Sequence, residues 1–415
     1  MKGIKLSVHR LQKGLYIRLP LSWRNHPFLF NSFKIKDEGQ IALIKQLGIS
    51  HVIVMPDKSD SAPLGADVDI VPVSADDKTA LQALKEEKEQ RIEALQDYRR
   101  DMQRCEKAFE QSVAQVRAVM SKVTSRPLNA ITEAKELVDG MVETLLAQDE
   151  MVLHLMNETK EGENLYYHSL NVSVLSMLLA KSKGLDKEEM TAIGMAGLFH
   201  DIGKMKVPSQ ILNKKTPLNT AEENFLKLHP QYSVQLLAQG ENLPELSNTI
   251  IAQHHEYADG SGYPKGLTKD NLKPSSLLVA LVNEYDTLCH PHDINKARTP
   301  YSALSYIFKS CKEKFAAEDI ELMVKHLGVF PPGTIVQLSN KQVGLVISVN
   351  QTKLLYPNIL LYDPGIPRTE ATIINLEEVD FSIAKALPPR RLKPEVYEYL
   401  NPRTRISYYF DNKQK

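Results

Sequence analysis

Hydrophobic and polar positions divide the chain into stretches of different period. Between residues 77 and 122, Leu95, Tyr98, Met102, Cys105, Phe109, Val116 and Met120 recur at spacings that are mostly three, four or seven, with charged residues between them. No Gly or Pro occurs from Asp77 to Ser125, so the pattern predicts one long amphipathic helix. Its apolar stripe has two readings: a helix packed on its own chain, or a coiled coil that pairs two subunits into a homodimer through residues 77–122. The heptad degrades before Leu95.

The flanking regions differ. In residues 1–75, Val-, Ile- and Leu-rich segments from Gly14 to Leu19 and from His51 to Met55 flank a helix from Asp37 to Leu47, with Gly48 as its stop. Pro56 to Ala75 is rich in Ser, Asp, Pro and Gly and predicts a linker. From about Leu128 to Gly328 the pattern is nearly all helical. Asp186 with Glu189, and Thr220 with Glu223, are capping-box-like starts. The first opens a helix that runs into His200-Asp201, and the second opens one that carries His229. His254-His255 close a helix from Pro244 to Glu256, and Pro274 to Leu288 carries Asp286. After Pro331-Pro332-Gly333, the runs TIVQLS, GLVISV and NILLY predict three or four strands, and the basic and aromatic tail is expected to pack back on the body. The fold class is therefore mainly α. An N-terminal α/β unit (1–75) is followed by a long helical connector (76–127), an all-α domain (128–330), and a small β unit with its tail (331–415).

Composition adds exclusions. The 415 residues carry 51 basic and 51 acidic side chains, so no global basic field argues for nucleic acid or an anionic membrane. No apolar run approaches the roughly 18 residues of a membrane span, and the start MKGIKLSVHRLQKGLYIRL lacks the apolar core of a signal peptide. Three widely spaced cysteines, Cys105, Cys289 and Cys311, are read as reduced thiols in a cytoplasmic protein.

The candidate chemistry lies in the helical region. His168, His200-Asp201, His229, His254-His255 and Asp286 are spread over about 120 residues, one His or acid on each of five successive helices. Helical bundles build interior metal sites this way. Imidazole and carboxylate suit borderline and hard divalent metals. Seven such donors exceed what one catalytic metal takes from its protein, which points to two metals sharing a bridge and to hydrolysis of a phosphate ester. Any one of these residues alone has a bland reading as a surface, capping or core residue; the joint pattern does not.

The runs HSLNVSVLS, LFHDIGKMKVPSQILNK, LNTAEENFLKLHP, HHEYADGSGYPKGL and VNEYDTL resemble the HD-GYP family, a branch of the HD phosphohydrolase superfamily. The resemblance covers about 200 residues, roughly half of the chain. It implies a cyclic dinucleotide phosphodiesterase of bacterial signalling. Such an enzyme opens cyclic di-GMP to pGpG, and onward to GMP, by attack of a metal-bridging hydroxide. It further implies His168, His200, Asp201, His229, His254, His255 and Asp286 as ligands of two divalent metals, with iron or manganese favoured and Asp201 as the bridge. Lys204 would bind a substrate phosphate. Gly262, Tyr263 and Pro264 would shape the loop beside the site, which the family also uses to contact signalling proteins. The family's third-metal Glu falls at Asn164, with Glu163 one residue off, so a two-metal site is expected. Asn283 stands where the family often has Asp. Arg298, after an unusual His290-Pro291-His292 segment, aligns loosely with a substrate-binding Arg. Two other readings stand beside cyclic di-GMP hydrolysis: hydrolysis of cyclic GMP-AMP, and a signalling scaffold that binds partners without turnover.

Overall fold

A computed structural model describes residues 3–22, 25–28, 30–65, 75–147, 153–157, 164–214, 216–240, 242–291, 293, 296–350, 352–368, 371–400 and 406–410. The chain divides into two compact units, residues 1–99 with 361–373 and residues 100–360 with 374–415.

The first unit contains β1 (Ile4–Ser7), β2 (Tyr16–Arg18), β3 (Ser32–Lys34), α1 (Glu38–Gln46) and β4 (His51–Val54). The strands form an antiparallel sheet in the order β1-β4-β2-β3. Sequence alternation finds β2 and β4 but not β1 and β3, which are only four and three residues long. α1 starts as expected, with Asp37 accepting from the Gln40 N–H at 2.8 Å, and Gly48 follows its end at φ +68°. Leu15, Ile17, Ile35, Ile44 and Val52 make the core of this unit.

The long amphipathic stretch is a single helix, α2 (Ala75–Lys122). Cys105, Phe109, Val113, Val116 and Met120 on its stripe are buried in the core of the second unit. From Cys105 onward the apolar seam is covered by the chain's own helices, the first of its two readings. The side chains of Leu95 and Tyr98 lie outside the described residues.

The second unit continues with α3 (Pro127–Leu146), β5 (Leu153–Asn157), α4 (Asn164–Ser182), α5 (Lys187–Phe199), α6 (Ser209–Leu212), α7 (Thr220–Leu226), α8 (His229–Leu237), α9 (Glu245–Gln253), α10 (Pro274–Cys289), α11 (Pro300–Ser310) and α12 (Ala317–Leu327). α4 and α5 are buried on nearly every face, so they show little amphipathic pattern. Two glycines let them pack closely, Gly197 against backbone and Gly194 against a side chain. A Cβ on Gly197 would lie 2.7 Å from Ser173 Cα, and one on Gly194 would lie 2.5 Å from Met177 Sδ. That contact brings the start of α4 and the end of α5 to one place, and the site forms there.

The start at Asp186 is as read, with its side chain accepting from the Glu189 N–H at 2.8 Å. The second start is one residue earlier than expected: Asn219 and Glu222 form the capping box. Its helix, α7, stops at Leu226, and His229 opens a new helix, α8. Pro230 explains the break, because proline lacks the N–H that a helix interior needs but fits a first turn.

Beyond the helices lie β6 (Ile335–Leu338), β7 (Val343–Ser348), β8 (Asn358–Leu361), β9 (Ile373–Asn375) and β10 (Ile383–Leu387), in the order β10-β6-β7-β8-β9. This is one strand more than the largest number expected. α13 (Pro394–Leu400) precedes β11 (Ile406–Phe410), which pairs antiparallel with β5, Tyr408 opposite Leu155. The tail thus packs back as expected, on a strand inside a region read as nearly all helical. No helix among the described residues is long and apolar enough to cross a membrane.

Candidate metal centre

The site is built where α5 stops. His200 is the C-cap of α5, and Asp201 leads into a tight 3-10 turn, Ile202–Lys206. Adjacent residues inside a helix point about 100° apart, whereas a helix end lets both face one space. Ser233 of α8 fixes the turn: its Oγ accepts from the Gly203 N–H at 2.8 Å and donates to the His200 carbonyl at 2.7 Å. Residue 203 has to be glycine, because a Cβ there would lie 2.5 Å from Ser233 N and would collide with the His229 carbonyl.

The other donors arrive from four more helices. His168 stands in the second turn of α4, His229 begins α8, His254 caps α9 with His255 next to it, and Asp286 lies in the last turn of α10. The carboxylate of Asp201, 1% exposed, is their centre. Its Oδ1 is 3.1 Å from His229 Nε2 and 3.9 Å from His254 Nε2. Its Oδ2 is 3.4 Å from His200 Nε2 and 3.5 Å from His168 Nε2. Two groups of donors result, Asp201 with His229, His254 and His255, and Asp201 with His168 and His200; within each, the donor atoms lie within 4.8 Å of one another.

The hydrogen bonds assign the protons. His200, His229 and His254 each use Nδ1 to donate to the carbonyl three residues earlier, Gly197, Leu226 and Ile251, at 2.8, 2.8 and 2.7 Å. His168 donates from Nδ1 to Asp286 Oδ2 at 2.6 Å. A neutral imidazole with its proton on Nδ1 keeps a lone pair on Nε2. Those lone pairs face one another, His168 with His200 at 3.1 Å and His229 with His254 at 3.2 Å. Protonation of His200 or His254 does not relieve this. Burial pushes the His200 imidazole below its ordinary range, and burial with neighbouring imidazoles pushes His254 and His255 well below it. Asp201 stays well below the ordinary carboxylate range: burial pushes it up, and the Lys204 ammonium leads the groups that outweigh that push. Its Oδ1 is buried without a hydrogen-bond partner. Converging lone pairs and an orphaned carboxylate oxygen are what a bound cation satisfies, so this His/Asp cluster can hold metal.

Asp286 joins neither group. Its Oδ2 takes the His168 proton, and its Oδ1 accepts from Asn171 Nδ2 and from His290 Nδ1, the latter at 3.2 Å. Asn171 and His290 escaped the sequence reading. Their signal was helical spacing, three residues after His168 and four after Asp286. Arg298 is exposed, and its guanidinium lies 4.3 Å from the centre of the Tyr306 ring on α11, not in the cluster. Asn283 is buried. Glu163 and His292 lie outside the described residues. Lys204 is one-third exposed, with Nζ 2.5 Å from Asp201 Oδ2.

The Gly-Tyr-Pro loop closes the His255 side. Tyr263 stacks on His255, with ring centres 4.5 Å apart and planes 18° apart, and its N–H donates to the His255 carbonyl at 3.0 Å. Gly262 leaves room for this: a Cβ would lie 2.5 Å from Glu256 Cα and from the His255 carbonyl oxygen. Pro264 follows through a cis peptide bond. Burial pushes the Tyr263 phenol far up, so it remains protonated.

An HD domain family matches residues 140–318, and a domain of unknown function, DUF3391, matches residues 3–134. A cyclic di-GMP phosphodiesterase of Pseudomonas aeruginosa is 26% identical over 366 residues, 86% of this chain and 84% of that protein. The cyclic di-GMP phosphodiesterase response regulator RpfG of Xanthomonas campestris is 26% identical over 212 residues, 47% of this chain and 56% of that protein. A 3'3'-cGAMP-specific phosphodiesterase of Vibrio cholerae is 34% identical over 130 residues, 30% of this chain and 28% of that protein. Residues 140–318 of this chain therefore match an HD domain, and residues 3–134 before them match a DUF3391 domain.

Proposed function

We propose that the chain is a metal-dependent phosphodiesterase that opens cyclic di-GMP to pGpG. The observation that carries this reading is the pair of facing Nε2 lone pairs on opposite oxygens of Asp201. One carboxylate between two nitrogen sets is the donor arrangement of a two-metal phosphoesterase. Asp201 would bridge, His168 and His200 would serve one side, and His229, His254 and His255 the other. Asp286 belongs to the His168 side, where it holds that imidazole and stands next in line as a ligand. Iron or manganese suits so many imidazoles.

Two bound divalent ions would supply Lewis acidity and a nucleophilic water at neutral pH. The chain's residues do the rest. Lys204, the more exposed partner of Asp201, offers a point charge to a non-bridging phosphate oxygen. Tyr263, held as a phenol, offers a hydrogen-bond donor beside His255. Gly262 and Pro264 set the course of its loop, and Arg298, which lies over Tyr306, is assigned to the substrate on the family resemblance alone. In the reaction the water oxygen joins phosphorus as the bond to the 3′-oxygen breaks, and a proton passes to that oxygen. The product is linear, with a 5′-phosphate and a free 3′-hydroxyl.

Cyclic GMP-AMP is the second substrate reading, favoured by the 34% identical relative. Residues 128–330 are assigned to catalysis, 1–75 to regulation, 76–127 to the connector and 331–415 to the β unit and tail. Partner proteins would meet the Gly-Tyr-Pro loop. Any pairing of two chains through residues 77–122 falls to the part before Cys105. The buried thiols of Cys105, Cys289 and Cys311 fit the reducing cytoplasm. Anaerobic turnover of both cyclic dinucleotides by purified, metal-analysed protein tests the reading. Appearance of pGpG, lost in Asp201→Ala, supports it. No turnover with two metals bound refutes the substrate assignment, and a metal-free, inactive chain leaves the scaffold reading.

A further inference from the structure

The residue after the His pair has no part in the cluster, yet it is 1% exposed and carries a carboxylate. Both oxygens of Glu256 are spent on one loop: Oε1 accepts from the Lys265 N–H at 2.6 Å, and Oε2 from the Leu267 N–H at 2.9 Å. These bonds fall just after Tyr263, which stacks on His255. The loop's far ends are joined by the Lys269 N–H to the Ala258 carbonyl at 3.1 Å and by a bridge between Asp259 and Thr268. The chain thus folds back on itself with the Glu256 carboxylate inside the turn. Two backbone donors satisfy both oxygens of this buried side chain, and leaving those oxygens without partners would be costly.

From this we infer that Glu256 is a positioning residue for substrate: it anchors the loop that holds Tyr263 over His255, and the loop in turn shapes the wall against which a cyclic dinucleotide is held. This deepens, and rests on, the phosphodiesterase reading above. It separates two neighbours in sequence, with His255 serving the metal side and Glu256 the substrate side of the same loop.

The test uses the full chain and its Glu256→Gln variant, which keeps size but gives up one acceptor. Three quantities are measured: hydrogen exchange of the peptide spanning residues 259–267, KM and kcat for cyclic di-GMP, and turnover of bis(p-nitrophenyl) phosphate, a diester too small to need the wall. We expect exchange in that peptide to rise about tenfold and KM to rise about tenfold. Metal content, kcat and small-diester turnover should stay within about twofold. Unchanged exchange and KM overturn the proposal, and so does an equal fall in metal content and in turnover of both substrates, which marks general support of the fold. If Glu256→Gln does not yield folded protein, the same readings on Glu256→Asp decide. If wild-type protein holds metal but turns over no cyclic dinucleotide, the phosphodiesterase reading fails, while exchange and small-diester rates still decide whether Glu256 is the anchor.

Discussion

The two sides of Asp201 are supported differently. His229 and His254 are fixed by their own backbone, each Nδ1 tied to a carbonyl three residues earlier. Their three imidazoles come from residues 229–255, and a loop anchored by Glu256 lies against them. The other side draws His168 and His200 from two helices, with Asp286 of a third holding His168. His168, whose side chain is 16% exposed, is steered by a side chain, and Asp286 is itself steered by Asn171 and His290. Backbone carbonyls cannot be mutated away, whereas side-chain partners can. His200 is tied like His229 and His254, to the Gly197 carbonyl at 2.8 Å, so the difference rests on His168: its side is tunable at that one imidazole, and the His229 side is the more rigid.

The strongest challenge to this comparison removes what the sides share. Asp201→Asn should lower kcat/KM by about a thousandfold or more, since both groups lose a charged donor. Kinetics with metal analysis would check it, and activity within tenfold of wild type would break the account. Next come single-side losses. His254→Ala and His168→Ala should each cost one metal and about a hundredfold or more in turnover, with the remaining side still occupied. Simultaneous loss of both metals in each variant would show that the sides are not separate. Smaller still are the steering residues: Asn171→Ala and His290→Ala should weaken metal affinity about 10–100-fold on the His168 side alone. Competitive chelation, monitored by the two occupancies, would show a loss on the other side if the assignment is wrong.

The subtlest effect is in pH. Burial lowers the imidazoles of His200, His254 and His255 from the ordinary value of 6.5. Below that value the unfolded chain binds protons that the folded chain refuses, so metal-free protein should lose stability as pH falls below 6.5. The depressed carboxyls of Asp201 and Asp286 act only lower, below their ordinary 3.8. Urea midpoints at pH 7 and 5.5 would test the sign. The midpoint should fall, and less so in His254→Gln; a rise would contradict the burial argument.

Much of the site was legible because metal donors are rare residue types set against apolar helices. His200-Asp201 interrupts a run that is otherwise buried, and His254-His255 ends another. The helpers were not legible. Asn171, Ser233, Glu256 and His290 are ordinary polar residues whose roles exist only through neighbours distant in sequence. The start of α7 was misplaced by one residue because Thr220-Glu223 and Asn219-Glu222 offer the same spacing, and only the structure shows which side chain turns back. β5 was hidden because its partner β11 lies some 250 residues away, and long-range pairing leaves little trace in local pattern. The coiled-coil seam was ambiguous for a related reason: periodicity identifies an apolar face but not what covers it.

Element-specific metal analysis of the purified chain beside Asp201→Asn tests the central claim most directly. The account predicts two divalent ions per chain in the native protein and no more than one in the variant. One ion or none in the native protein, or two retained in Asp201→Asn, would contradict it.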